Sequence, residues 1–253
     1  MTLGKPLPIT YAGHSVCLLP EHALWWPEAR VLFIADVHMG KAATYRALGQ
    51  PVPSGTTAEN LRRLSQLIAH YQPTQLVFLG DFLHARAART ASVLGQIEMW
   101  RQSHASLTCT LVRGNHDSRA GDPPAHLNIS VVDEPYLVGP FAACHHPQTH
   151  PTHAVLAGHV HPAVQLQGAA RDRLRLPCFV LDSRSAILPA FGEFTGGYTV
   201  EPKPGVQLYA AGGGSVWPLS GSFKPTKTAE DGHVQAPNKA VAQSIRAQAA
   251  IDK

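Results

Sequence analysis

Residues 144–162, CHHPQTHPTHAVLAGHVHP, hold six of the chain's 15 histidines in a stretch of nineteen. Imidazoles have no packing reason to gather at that density; they serve as metal ligands or carry protons. The chain offers matching donors elsewhere: Asp36 and His38 in ADVH, Asp81 in LGD, and Asn115 and His116 in GNHD. Within the histidine-rich stretch the pairs are His145 and His146 in CHHP, and His159 and His161 in GHVH. Nitrogen and oxygen donors without thiolate suit Mn2+, Fe or Zn2+. So many ligands exceed what one tetrahedral ion takes, and they match two ions sharing a carboxylate. In DVH and HVH the two ligands are separated by one residue, so an extended strand end would turn both to the same side.

Elements must deliver these groups to one place. VLFIADVH (31–38), QLVFLGD (75–81) and LTCTLVRGNHD (107–117) are apolar runs that stop at polar residues, the pattern of buried strands ending at a site. Between them, residues 56–71 read as a helix capped by Thr56 or Thr57, with Leu61, Leu64, Leu67 and Ile68 as its apolar stripe. Residues 92–105 read as a second helix. From about residue 129 short strands punctuated by Gly and Pro dominate. In open α/β sheets ligands bind beyond the carboxyl ends of the strands, so polar strand ends on one edge would converge. Residues 1–219 are expected to form one domain, and 220–253, polar and poor in aromatics, a disordered tail with a weak helix at 238–251.

The 253 residues, 44% of them apolar, suffice for a large core, and no run approaches the length of a membrane span. The opening residues lack a signal-peptide pattern, so a cytoplasmic address is expected. Four dispersed cysteines form no CxxC pair; Cys17, Cys109 and Cys178, in apolar strand-like runs, read as buried thiols, and Cys144 differs in adjoining the histidines. A net charge of +4 is compatible with a phosphate-bearing partner without demonstrating one.

The ordered set D-x-H, G-D, G-N-H-D, H and G-H-x-H, over residues 36–161, resembles the calcineurin-like metallophosphoesterase superfamily. The stretches HMGKAATYRALGQPVPSGTT, LGDFLHAR and LPAFGEFTGG further resemble its ligase-associated DNA damage response endonuclease branch. The resemblance implies a four-layer α/β-β/α sandwich, two mixed sheets flanked by helices. It implies two divalent ions, Mn2+ first, with Fe or Zn2+ as alternatives. Asp36, His38 and His161 would hold one ion, Asn115, His145 and His159 the other, and Asp81 would bridge. His116 would give a proton to the leaving oxygen, with Asp117 orienting it. Of the adjacent pair, His145 is the expected ligand, leaving His146 to face substrate. Arg46, as a phosphate clamp, and His84 are the other candidate substrate contacts, each weighed against an ordinary loop or packing role.

The activity implied is hydrolysis of phosphodiester bonds in DNA, single-stranded or damaged, with a DNA ligase and a helicase as functional associates and no membrane partner. A phosphodiesterase or phosphatase for small or cyclic nucleotides would use the same site. A scaffold that keeps the fold without chemistry is disfavoured because every ligand position is filled. Trp25 and Trp26 read as core rather than as a base-stacking platform.

Overall fold

The computed structural model describes residues 3–50, 52, 55–167, 173–193 and 195–219. The tail expected at 220–253 lies outside the described residues. The first sheet runs in chain order: β1 (Leu7–Tyr11), β2 (His14–Leu19), β3 (Ala23–Trp26), β4 (Val31–Ile34), β5 (Gln75–Leu79), β6 (Thr108–Val112) and β7 (Ile129–Val132). Its first four strands are antiparallel neighbours; β4 to β7 are parallel. The second sheet takes β8 (Tyr136–Val138), β9 (Phe141–Ala143), β10 (Ala154–Ala157), β11 (Pro162–Gln167), β12 (Arg173–Leu181), β13 (Ser185–Ile187) and β14 (Tyr198–Thr199). A hairpin of β15 (Gln207–Gly212) and β16 (Ser215–Leu219) joins it through β12.

Both faces of β4 and β5 are buried, which is why they read as unbroken apolar runs. Along β4, Leu32 and Ile34 pack under the helices while Val31 and Phe33 face the second sheet. The helix-side core joins them to Leu61, Leu64 and Leu67 of α2 (Thr56–Tyr71) and to Ile97 and Trp100 of α3 (Ala91–Ser103). The inter-sheet core sets Phe33, Val77 and Leu79 against Phe141, Leu156 and Phe179. Two mixed sheets flanked by helices are therefore what the chain builds, as expected. The α-helices among the described residues, with α1 (Lys41–Ala47) and α4 (Asn115–Ala120), all come from the first half. On the second sheet a further cluster of Val164, Leu166, Leu176 and Leu208 is packed by Val200, Val206 and Trp217.

Three local expectations are corrected. Helix α2 starts at Thr56, but no side chain caps it; Gly55, in the left-handed region, precedes it. Thr57 instead accepts a hydrogen bond from the Gly40 amide (3.1 Å), and Asn60 donates to the Val37 carbonyl (3.2 Å). The helix thus holds the loop that carries Asp36 and His38. Second, β4 stops at Ile34, and Asp36 and His38 do not lie on an extended strand end. Both have left-handed backbone, φ 54° and 49°. Third, the polar strand ends converge from two sheets rather than along one edge. Trp25 and Trp26 are buried, as expected of core residues. Cys109, Cys144 and Cys178 are buried free thiols whose pKa values burial pushes up, and Cys144 packs with Ala142, Val155 and Ala157 away from the histidines. Among the described residues no helix is long and apolar enough to cross a membrane.

Candidate metal centre

Parallel pairing puts the carboxyl ends of β4, β5 and β6 on one edge of the first sheet, and those of β9 and β10 on one edge of the second. The loops leaving these ends are zipped together. The His38 amide donates to the Asp81 carbonyl (2.9 Å), Met39 to Phe82 (2.8 Å), and Gly158 to His145 (3.1 Å). Residues 190–193 close the ring: Phe191 and Gly192 amides donate to the Ala35 and Asp36 carbonyls.

Candidate ligand atoms fall into overlapping triads: Asp36, His38 and His161; Asp36, Asp81 and His145; His145, His146 and His159; His38, His84 and His116. Within each, all ligand atoms lie within 4.8 Å of one another. Asn115 joins them, its Oδ1 lying 2.8 Å from His145 Nε2. Asp81 stands between the two halves: Oδ2 is 3.8 Å from His38 Nε2, and Oδ1 is 3.5 Å from His145 Nε2.

The protons can be placed from partners that only accept. His145 Nδ1 lies 3.1 Å from the Leu79 carbonyl, His161 Nδ1 3.0 Å from Thr195, and His116 Nδ1 2.6 Å from His84. A carbonyl cannot donate, so each Nδ1 carries a hydrogen and each ring turns its Nε2 inward. The Nε2 of His145 faces the Asn115 oxygen and, at 3.1 Å, His159 Nδ1. That of His161 faces His38 Nε2 at 3.3 Å.

One atom tests the fit of a cation directly. Asp36 Oδ1 is fully buried and has no hydrogen-bond partner. Its nearest ring nitrogens, His161 Nε2 at 3.6 Å and His145 Nδ1 at 3.7 Å, are beyond hydrogen-bond length. A buried carboxylate oxygen left unpaired costs several kcal/mol unless a positive charge meets it. Donor chemistry and spacing therefore fit divalent ions. Proton affinities agree in part. Burial drives the pKa of His38 far down and lowers that of His159, with neighbouring charges adding to the effect, so both offer lone pairs at neutral pH. His161 moves the other way: burial opposes its proton, but the Asp36 carboxylate outweighs it. A cation at that nitrogen displaces the proton, so ion uptake strengthens as pH rises.

Backbone strain gathers at the same place. Asp36, His38, Asp81, His159 and His161 all have positive φ, between 49° and 68°. Such conformations cluster at functional sites. Glycines make room for the convergence. A Cβ on Gly80 would lie 2.0 Å from His145 Nδ1, and one on Gly114 2.3 Å from Asp81 Oδ1. Gly80→Ala is accordingly expected to displace His145 and weaken retention of one ion by at least about 10–100-fold, the usual cost of disturbing a ligand's supports. Titration of Mn2+ into the variant, followed by paramagnetic resonance, checks this; an unaltered stoichiometry at wild-type affinity would refute it.

Other candidates sort differently. His145 is fully buried against Asn115 and Asp81. His146 is half-exposed, and its Nδ1 meets Glu134 Oε1 at 2.7 Å. Asp117 does not orient His116. Its carboxylate accepts from the Phe82, Leu83 and Gly114 amides (3.0–3.1 Å), fastening the loop after Asp81 to the start of α4. Its pKa is pushed up to about 6 by burial, against those amides. His116 is oriented by the His84 carbonyl instead, and the two rings stack with centroids 5.0 Å apart. His84 begins no helix; it is half-buried against His38 and His116, its pKa lowered to about 4 by burial and then by Lys41. Arg46 is not at the ligand cluster. It is exposed in the last turn of α1 and donates to the Val52 carbonyl (3.3 Å). Lys41 stands there in its place; five residues along a helix is roughly 140° of net rotation, so the two side chains leave on different sides.

Sequence reasoning missed Glu134 and Thr195. Glu134 Oε2 accepts from the amides of His145 (2.6 Å) and His146 (2.9 Å), which fixes the turn carrying the ligand. No spacing rule marks Glu134, and Thr195 meets His161 through its carbonyl, which any residue type supplies.

A family profile described as Calcineurin-like phosphoesterase matches residues 29–156. The crystal structure of Pseudomonas putida nuclease MPE is 51% identical in sequence. The match covers 85% of this chain and 100% of that one, with a TM-score of 0.75. A second structure, the E. coli phosphoesterase Yfce, is 16% identical over 71% of this chain and 86% of its own, with a TM-score of 0.36. No curated protein matches. The profile spans about half of the chain and takes in Asp36, His38, Asp81, Asn115 and His145, stopping short of His159 and His161, and the nuclease match covers most of the chain: the chain belongs to the calcineurin-like phosphoesterases, metal-dependent hydrolases of phosphate esters.

Proposed function

We propose that this chain is a dinuclear phosphodiesterase that cuts DNA, with Mn2+ as its working ion. The observation that carries the reading is Asp81, whose two oxygens face the two ligand groups from a buried position between them. Asp36, His38 and His161 would hold one ion, Asn115, His145 and His159 the other. When bound, such a pair supplies hydroxide near neutral pH and screens the charge of the phosphate. The chain's own residues do the rest. The His116 ring, held by the His84 carbonyl, turns Nε2 toward the centre, 3.9 Å from Asp81 Oδ2, where a proton on that atom passes to the departing oxygen. Asp117 and Glu134 keep the loops in register through amide hydrogen bonds.

The choice of DNA is supported by the 51% identity to a protein described as a nuclease, and the chain's net positive charge suits a polyanion. A role in repair beside a ligase and a helicase belongs to the same proposal. The deciding experiment incubates the Mn2+-loaded protein with end-labelled single- and double-stranded DNA, and in parallel with bis-p-nitrophenyl phosphate and cyclic nucleotides. Cleavage within the DNA strands that stops on chelation and returns with Mn2+ is expected. Turnover of the small substrates alone would make the chain a small-molecule phosphodiesterase.

A further inference from the structure

We infer that Lys41 is a substrate-binding residue whose ammonium group takes a non-bridging oxygen of the phosphate being cleaved. This rests on the phosphoester reading above and adds a residue to it. Lys41 is the first residue of α1 and is only 7% exposed. The ammonium keeps a narrow opening to solvent, and a charge with so little water around it normally has a carboxylate or several acceptors beside it. Among the described residues, Lys41 Nζ has no acceptor within hydrogen-bond distance and no carboxylate within 4.0 Å; its nearest recorded partner is the Tyr45 ring, 5.8 Å from Nζ to centroid.

The charges that Lys41 feels belong to the metal centre. Asp81 and Asp36 favour its proton against the effect of burial, and Lys41 in turn disfavours protons on His38, His84 and His161. Those carboxylates are committed elsewhere once ions bind. Two carboxylates set against two divalent cations leave an excess of positive charge, and the ammonium adds to it. An anion must arrive from outside the chain to complete the balance. A phosphodiester brings one negative charge and develops a second as the nucleophile adds, and a positive group that meets it there strengthens in the transition state. The Lys41 amide donates to the His38 carbonyl (3.2 Å), which ties the start of α1 to the residue that carries the ligand.

The alternative is that Lys41 merely balances Asp36 and Asp81. The two roles separate in a titration of inorganic phosphate into Mn2+-loaded wild type, Lys41→Met and Lys41→Arg, run beside Mn2+ binding and kinetics on bis-p-nitrophenyl phosphate. Lys41→Met is expected to bind Mn2+ at least as tightly as wild type, because a repelling charge is gone. It should bind phosphate about 10–100-fold more weakly, the loss typical of a charge-assisted hydrogen bond, with a similar fall in kcat/KM. Lys41→Arg should retain most of the phosphate affinity. Unchanged phosphate affinity in Lys41→Met would overturn the inference and leave Lys41 a counter-charge. Should Lys41→Met not fold, Lys41→Gln is read by the same two criteria. A wild-type protein that binds phosphate yet turns over no phosphoester would sink the functional reading alone, and the titration would still decide Lys41.

Discussion

Asp81→Ala is expected to abolish phosphoester hydrolysis and to uncouple the two ions. The expectation follows from where its oxygens lie. Oδ2 addresses the half of the centre formed by His38 and His116, and Oδ1 the half formed by His145. Oδ1 also accepts the His116 amide at 2.9 Å, so the substitution removes a ligand and loosens the start of α4 together. Losing a residue that merely supports a ligand costs about 10–100-fold in metal affinity or activity, and losing the shared ligand should exceed that. The side chain is buried in a polar pocket, and alanine leaves His38, His145 and His116 facing one another without a negative charge between them. Metal analysis of the purified variant, with paramagnetic resonance of Mn2+, should report fewer than two ions and no exchange coupling. Full activity with two coupled ions would remove Asp81 from the bridging position.

The second large effect separates chemistry from metal binding. In His116→Ala both ions should stay, because none of the ligand atoms assigned to them is removed and Asp81 keeps its carboxylate. Turnover should fall by about 10²–10⁴, the range for a positioned proton donor. The size of the fall should depend on the leaving group. An alkoxide departing from DNA needs a proton, whereas p-nitrophenolate leaves readily without one. The variant should therefore lose far more on DNA than on bis-p-nitrophenyl phosphate. Equal losses on both would argue that His116 stabilises charge on the phosphoryl oxygens. An Asp117→Asn variant offers a contrast, because that carboxylate holds the amides of Phe82, Leu83 and Gly114 and never touches the His116 ring.

The amino-acid sequence discloses the donors and hides much of what aims them. Donor types and apolar strands could be read because each has a side-chain signature: Leu61, Leu64, Leu67 and Ile68 repeat at helical spacing and all four are buried. Likewise Val31–Ile34 and Gln75–Leu79 form strands that stop just short of Asp36 and Asp81. The aiming groups are main-chain carbonyls of Leu79, His84 and Thr195, which any residue type supplies. The mistaken role for Asp117 came from adjacency in sequence, which says little once both residues lie on one helix and their side chains leave about 100° apart. Arg46 misled for a related reason: nearness along the chain is not nearness in space when five helical residues intervene. No spacing rule gives Lys41 a role, because the surroundings of its ammonium can be seen only after folding.

The left-handed backbone at Asp36, His38, Asp81, His159 and His161 sets a direction for drift. Each such residue holds a conformation roughly 1 kcal/mol or more above the relaxed one, so the apoprotein stores tension that glycine would release. Descendants freed from selection for catalysis should therefore gain thermal endurance by shedding these side chains, and inert but sturdy cousins lie only a few substitutions away.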